Sequence, residues 1–253
     1  MSRVYTKGFY TENLATAAQS AAQVAPFLME LVRPASVLDV GCGTGAWLET
    51  FMKLGAGEVL GIDGEHVPPA MLRIPADRFI TRDLATPLHL ERTFDLVLSL
   101  EVAEHLPAGA ATSFVESLAS LGPVVAFSAA VPGQTGQGHV NEQWPEYWID
   151  LFAARGFGVV DCIRPRFWDN ADVAYWYAQN MLVFVDRSRL SRYPRLAAEQ
   201  AAPSRGAPYA RVHPRAWLNA TDPRQADLRR VLAGLPFALR RAVSLRFRRL
   251  TGR

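Results

Sequence analysis

The stretch Val37-Leu38-Asp39-Val40-Gly41-Cys42-Gly43-Thr44-Gly45-Ala46 decides how the rest of the chain is read. Four mostly apolar residues form a short buried strand, and three glycines within five positions then force a tight turn into a helix. Glycine is required where the backbone takes positive φ or where a ligand lies against it. The turn also carries a ligand to the unpaired N–H groups at a helix N-terminus. Two chemistries remain open at this point. Gly41, Gly43 and Ala46 satisfy the G-x-G-x-x-G/A fingerprint of dinucleotide enzymes, and the same loop fits other nucleoside cofactors.

Asp39, two places before the first glycine, followed by Gly41-Cys42-Gly43-Thr44-Gly45, resembles motif I of the class I S-adenosylmethionine (SAM) methyltransferases. The resemblance implies that Asp39 orders the loop and that Gly41, Gly43 and Gly45 lie against the methionine part of SAM. Downstream, Glu58-Val59-Leu60-Gly61-Ile62-Asp63 is a short strand ending in a carboxylate about 20 residues past the glycines, where a ribose-binding acid belongs. Arg78–Leu84 reads as the third strand and its exit, and the family likeness places Asp83 and Leu84 at the adenine. Phe94–Leu100 is a strong fourth strand, Val124–Ala129 a fifth, Glu146–Arg155 a helix, and Gly158–Ile163 and Gln179–Val185 two closing strands. Alternating β and α segments argue a doubly wound α/β domain. The expected fold is the seven-stranded class I methyltransferase (Rossmann-like) sheet with an antiparallel last strand. Dinucleotide dehydrogenases normally carry a second βαβ half or a separate substrate domain, and nothing after residue 186 supplies either.

The chain has 253 residues, 49% hydrophobic and 20% charged, which is ordinary for a globular protein. Cys42 and Cys162 form no spacing pattern, so neither a disulfide framework nor a zinc site is indicated. Neither a signal peptide nor a run of 18 apolar residues is present, so a cytoplasmic protein is expected. The net charge of +3 conceals a split: residues 187–253 hold 16 Arg against three acids, +13, leaving −10 on the remainder. The expected organisation is an N-terminal helical lid over 1–35, a SAM-binding domain over 36–186, and a basic linker with a C-terminal amphipathic helix over 187–253. Within the first segment a helix spans 12–32, broken or restarted at Pro26, and Phe9-Tyr10-Thr11 is a candidate lid. Within the last, Leu239, Val243, Phe247 and Leu250 form an apolar stripe among arginines, the pattern of a helix that touches an anionic membrane or glycolipid. No nucleic-acid module is present, and nucleic acid is not an expected partner.

Methyl transfer from a sulfonium requires alignment and removal of a proton from the nucleophile. In open α/β sheets the site lies beyond the strands' carboxyl ends. After the fourth strand, Glu101, Glu104 and His105 share one face if the segment turns helically; the resemblance places Glu101 near the cofactor. After the fifth, a glycine-rich loop leads to His139, the candidate general base, with Asn141, Glu142, Trp144 and Trp148 as candidate pocket lining. His139, His105 and Glu104 are therefore the catalytic candidates. Glu101, Glu104, His105 and His139 together also form a candidate divalent-metal set, similar to small-RNA 2′-O-methyltransferases and ubiquinone-pathway O-methyltransferases. The runs 128–133, 138–145, 164–170 and 176–180 resemble bacterial polysaccharide and sugar-tailoring methyltransferases. That likeness implies O-methylation of a sugar or saccharide-bearing acceptor, with Trp168, Tyr175, Trp176 and Tyr177 as stacking candidates. Methylation at N or C of another metabolite, or a SAM-binding interaction protein without turnover, are the competing expectations.

Overall fold

The computed structural model describes residues 7–201, 209–221, 232 and 234–241, with side chains from residue 15. Helix α1 (Lys7–Val32) precedes β1 (Ser36–Val40), α2 (Ala46–Lys53), β2 (Glu58–Asp63), β3 (Phe79–Thr81) and β4 (Leu96–Leu100). Then follow α3 (Ala111–Leu121), β5 (Val124–Ser128), α4 (Pro145–Ala153), β6 (Phe157–Val160), α5 (Arg164–Phe167), α6 (Tyr175–Asn180) and β7 (Leu182–Asp186). The seven strands form one sheet in the order β3-β2-β1-β4-β5-β7-β6. β3, β2, β1, β4 and β5 run parallel, while β7 is antiparallel to both of its neighbours. This is the seven-stranded fold expected, with its last strand reversed.

Both faces of the sheet are covered, which is why its strands are continuous apolar runs rather than alternating ones. Val37, Val59, Leu96, Leu98, Val124 and Val183 pack against Val24, Leu28 and Leu31 of α1 and Trp47, Leu48 and Phe51 of α2. Leu38, Val40, Ile62, Val97, Val125 and Phe184 face Phe114 and Leu118 of α3 and Trp148 and Phe152 of α4. Period-two alternation along each strand thus sorts side chains between two cores.

Helix α1 runs through Pro26 without ending, contrary to the expected break. A proline inside a helix costs about 3 kcal/mol, but Val24, Ala25, Phe27 and Leu28 on either side are buried, and that packing holds the helix together across it. Phe9-Tyr10-Thr11 lies on α1, its side chains outside the described residues. Gln179 and Asn180, expected to open the last strand, instead end α6, and β7 begins only at Leu182.

The chain divides into two units, 1–213 and 214–253. In the first, among the described residues after β7, α7 (Pro194–Ala201) buries Leu196, and residues 209–213 are tied to the domain by hydrogen bonds described below. In the second, α8 (Pro214–Thr221) and a helical stretch over 234–241 are described; Val243, Phe247 and Leu250 of the expected stripe lie outside the described residues. Among the described residues no helix is long and apolar enough to cross a membrane.

Candidate active site at the carboxyl edge of the sheet

The glycine loop leaves β1 at the sheet's carboxyl edge with Gly41 at φ 86°, Gly43 at 54° and Gly45 at 87°. All three angles belong to the left-handed region that side chains rarely adopt. Gly41 has a second constraint, because a Cβ there would run into the Val102 side chain. Gly43, by contrast, has open space where a Cβ would point. The loop is clamped to β2: Gly41 and Cys42 N–H donate to the Ile62 carbonyl at 2.7 and 3.2 Å, and Gly43 N–H donates to Asp63 Oδ2 at 2.6 Å. Asp63 Oδ1 accepts from Gly64 N–H at 2.6 Å. Asp63 therefore ties the loop to the end of β2. Burial raises the carboxyl pKa of both Asp63 and Asp39, Asp39 well above its ordinary range with Asp63 adding repulsion.

Asp39, Gly41, Cys42, Gly43 and Thr44 border a cavity of about 410 Å³. Its other walls include Glu101, Glu104 and His105 after β4, Gln134 and His139 after β5, and Tyr175, Trp176 and Tyr177 of α6. Asp63, Gly45, Asp83 and Leu84 are not part of its lining. Asp83 is exposed and closes a turn by accepting from Ala85 N–H at 3.0 Å, next to a mostly buried Leu84. These two follow Arg82, whose N–H donates to the Asp63 carbonyl at 2.8 Å, so they sit on the same carboxyl edge as Asp63.

Glu104 and His105 lie on a single 3-10 turn, Ala103–His105. The later loop returns to that turn: Val140 and Asn141 N–H both donate to the Glu104 carbonyl, at 2.8 and 3.0 Å. This clasp brings His139 edge-on to His105 with ring centres 4.9 Å apart. One ligand-capable atom from each of Glu104, His105 and His139 falls within 4.8 Å of the others. Both Glu104 oxygens and His105 Nδ1 are buried without a hydrogen-bonding partner of good geometry. Burial, then the neighbouring Glu101, pushes the Glu104 carboxyl well up; burial and His139 push the His105 imidazole down to about 4. A buried carboxylate and a neutral imidazole with lone pairs unused fit a divalent cation as a donor set.

His139 Nδ1 lies 2.9 Å from Glu142 Oε1. Glu142 also accepts from Thr135 N–H and Gly133 N–H, each at 2.8 Å, so one carboxylate orients the imidazole and holds the loop around it. Glu142 thus supports the loop and its histidine rather than lining the acceptor pocket, where it was expected. Trp148, expected there as well, is buried against Phe127 at 5.2 Å instead, and Trp144 and Asn141 do not reach the cavity lining.

Glu101 is held differently from the trio it was expected to join. Its backbone has φ 56°, an uncommon value for a non-glycine residue, and its N–H donates to Ser128 O at 2.9 Å. Its carboxylate accepts from Asn180 Nδ2 at 3.1 and 3.3 Å and from Gln134 Nε2 at 2.9 Å. Burial raises it to about 7 against the lowering effect of those amides. Gln179 and Asn180 lie in the run 176–180 that carries the sugar-tailoring resemblance, but nothing in the sequence pairs them or Gln134 with Glu101.

The open Gly43 and the positive-φ loop leave backbone facing the cavity free for a ligand to lie against, as the glycine loop of a SAM site requires. Comparison with known proteins agrees. Residues 10–156 match the family described as Methyltransferase domain. Two ubiquinone biosynthesis O-methyltransferases of Rhodopseudomonas palustris, from strains HaA2 and TIE-1, are 39% and 36% identical over 75 residues. Each match spans 28% of this chain and only 29% of the relative. Among solved structures, DesVI of Streptomyces venezuelae aligns with a TM-score of 0.53 at 20% identity, over 70% of this chain and 94% of that one. SAM-bound CalS10, an amino pentose methyltransferase from Micromonospora echinaspora, aligns at 0.51 and 20%, over 74% and 99%. With the fold, the loop and the family match in agreement, the chain belongs to the class I SAM-dependent methyltransferases.

Proposed function

We propose that the protein transfers the methyl group of SAM to a hydroxyl oxygen of a small acceptor, a sugar or saccharide-bearing molecule. The observation that carries the reading is His139, oriented by Glu142 at 2.9 Å and placed in the same cavity as the glycine loop. Bound SAM supplies a methyl on a sulfonium whose leaving group is a neutral thioether. The chain has three tasks: to hold both reactants in line, to exclude water and to take the acceptor's proton. His139 takes that proton through Nε2, because Nδ1 is occupied by Glu142. Tyr175, Trp176 and Tyr177 offer the apolar, polar-tipped surface that sugar rings stack on. Oxygen as the methylated atom is also supported by the activity named for the ubiquinone relatives.

A second reading of the same trio rests on the unpartnered Glu104 oxygens and His105 Nδ1. Here Glu104, His105 and His139 hold a divalent cation, with Glu142 as the carboxylate that orients a ligating histidine. Such an ion acts as a Lewis acid, lowering the pKa of the acceptor hydroxyl. Glu101 stands outside that ligand set, its oxygens being engaged by amides.

Product formation from labelled SAM across a panel of sugars and phenols tests both readings. Under the first, His139→Ala lowers kcat by about 10²–10⁴ and chelators have no effect. Under the second, activity is lost on chelation and returns with one metal. Binding of SAM without turnover on any acceptor would favour a non-catalytic protein. The C-terminal segment is proposed to touch an anionic membrane or glycolipid surface: the helical residues 234–241 leave Leu235, Phe237 and Leu239 exposed, within a region of +13 charge.

A further inference from the structure

The hydrogen bonds behind Glu101 have a fixed direction. Gln179 is fully buried, and its Oε1 accepts from the backbone N–H of His213 at 2.7 Å. A main-chain N–H can only donate, so this contact sets which way the Gln179 amide faces. Its Nε2 must then point inward, where it donates to Gln134 Oε1 at 3.1 Å and Asn180 Oδ1 at 2.9 Å. With their oxygens taken, the Gln134 and Asn180 nitrogens are left to donate to the Glu101 carboxylate. The chain of donors thus begins on the segment 209–213 and ends on an acid in the cavity wall. That segment is itself anchored. Arg164, fully buried and paired with Asp161 at 2.5 and 2.8 Å, donates through Nη1 to the Tyr209 carbonyl at 2.7 Å.

We infer that residues 209–213, acting through Gln179 as a positioning residue, hold Glu101 as a carboxylate, and that this charge makes the site prefer cationic SAM over its uncharged-sulfur product, S-adenosylhomocysteine (SAH). The inference rests on the cofactor reading above. SAM and SAH differ by one methyl and one positive charge, so contacts to adenine, ribose and the amino acid affect both alike. Only a fixed charge in the cavity separates them strongly. An anion at a low-dielectric wall attracts the sulfonium and loses that attraction once the methyl has gone, which favours release of product. Asp39 and Glu104 also border the cavity and Tyr177 stands beside Glu101, so the test must isolate the Glu101 contribution.

Calorimetric titration of the full chain with SAM and with SAH at pH 8 provides it, each variant being read as the ratio of its own two dissociation constants. Glu101→Gln should lower the SAM preference about tenfold. Gln179→Met, which removes the relay at nearly constant volume, should lower it in the same direction. In the double variant Gln179→Met should add nothing further, since the charge it supports is already gone. A merely structural role for Gln179 would weaken both ligands equally and leave the ratio unmoved. Gln134→Met reads the same relay if Gln179→Met does not fold. Both ligands binding, with an unchanged ratio in Glu101→Gln or with additive effects in the double variant, would overturn the inference and leave the cofactor reading standing. Failure of wild type to bind either ligand would remove both.

Discussion

Glu104 is the residue whose surroundings are least consistent with a resting, unliganded fold. A carboxylate in a dry site is ionised only with a cation or several well-placed donors beside it, and both Glu104 oxygens are buried without a hydrogen bond of good geometry. In protein stripped of divalent ions, Glu104→Gln is therefore expected to raise the melting temperature, by about 2–4 °C for each kcal/mol relieved in a chain of this size. The pH dependence has a definite sign. Burial raises the folded-state pKa above the unfolded value of about 4.3, so the folded wild type resists losing its proton. Its stability relative to the glutamine variant falls as pH climbs from about 4.3 through the folded pKa, then levels off. The gap between the two melting curves should widen over that range and be absent below it. An added divalent ion should reverse it if the trio is a metal site. A wild type more stable than the variant at neutral pH in chelator would contradict this account. The sequence revealed the i, i+3, i+4 grouping of Glu101, Glu104 and His105, but could not distinguish its members. Glu101's amide partners stand 33 and 79 residues away, and hydrogen bonds over such separations leave no local pattern.

At the scale of elements, the loop after β5 is organised by one side chain. Glu142 gathers two backbone N–H groups and one imidazole, and the backbone of Glu104 accepts from the loop's far end. Glu142→Gln keeps the size but removes the charge that three donors share. We expect kcat to fall about 10–100-fold, less than the about 10²–10⁴ for losing the acid–base group itself, with SAH affinity unchanged. Equal loss of kcat and SAH binding would mean the loop supports the cofactor instead. The parallel strands and the glycine turn were legible because buried strands are dense in Val, Leu and Ile and because glycines punctuate the loop. Helix α6 was not. Tyr175–Asn180 mixes three aromatics and an Asn of weak helix preference with Ala178 and Gln179 of good preference, so its form is tied to long-range contacts such as Trp47 on Tyr177 and the bonds to Glu101 and Gln134. Pro26 misled for the converse reason: local propensity argued for a break that the core beneath α1 does not permit.

Across the whole molecule the charges are divided, with −10 over residues 1–186 and +13 over the remainder. If the basic segment meets an anionic surface, removing residues 236–253 should abolish co-flotation with vesicles containing anionic lipid. It should leave SAH binding intact, and added salt should mimic the deletion. Binding that survives the deletion would place the contact elsewhere. The sequence reading ended the catalytic part at residue 186, yet Tyr209 and His213 are bonded to Arg164 and Gln179 within the first unit. Composition marks where apolar density drops, whereas these ties are made by two backbone groups that any residue could supply. The reversal of β7 has a consequence for how such a site can diversify. A strand that runs against its neighbours starts at the edge where they finish, so the residues leading into it arrive at the cavity without a crossover. One wall, Tyr175–Asn180, is thereby threaded in as a short cassette between fixed strands. The Tyr175, Trp176 and Tyr177 side chains can be exchanged for another acceptor's needs while Gln179, Asn180 and the parallel strands β1 to β3 keep their places.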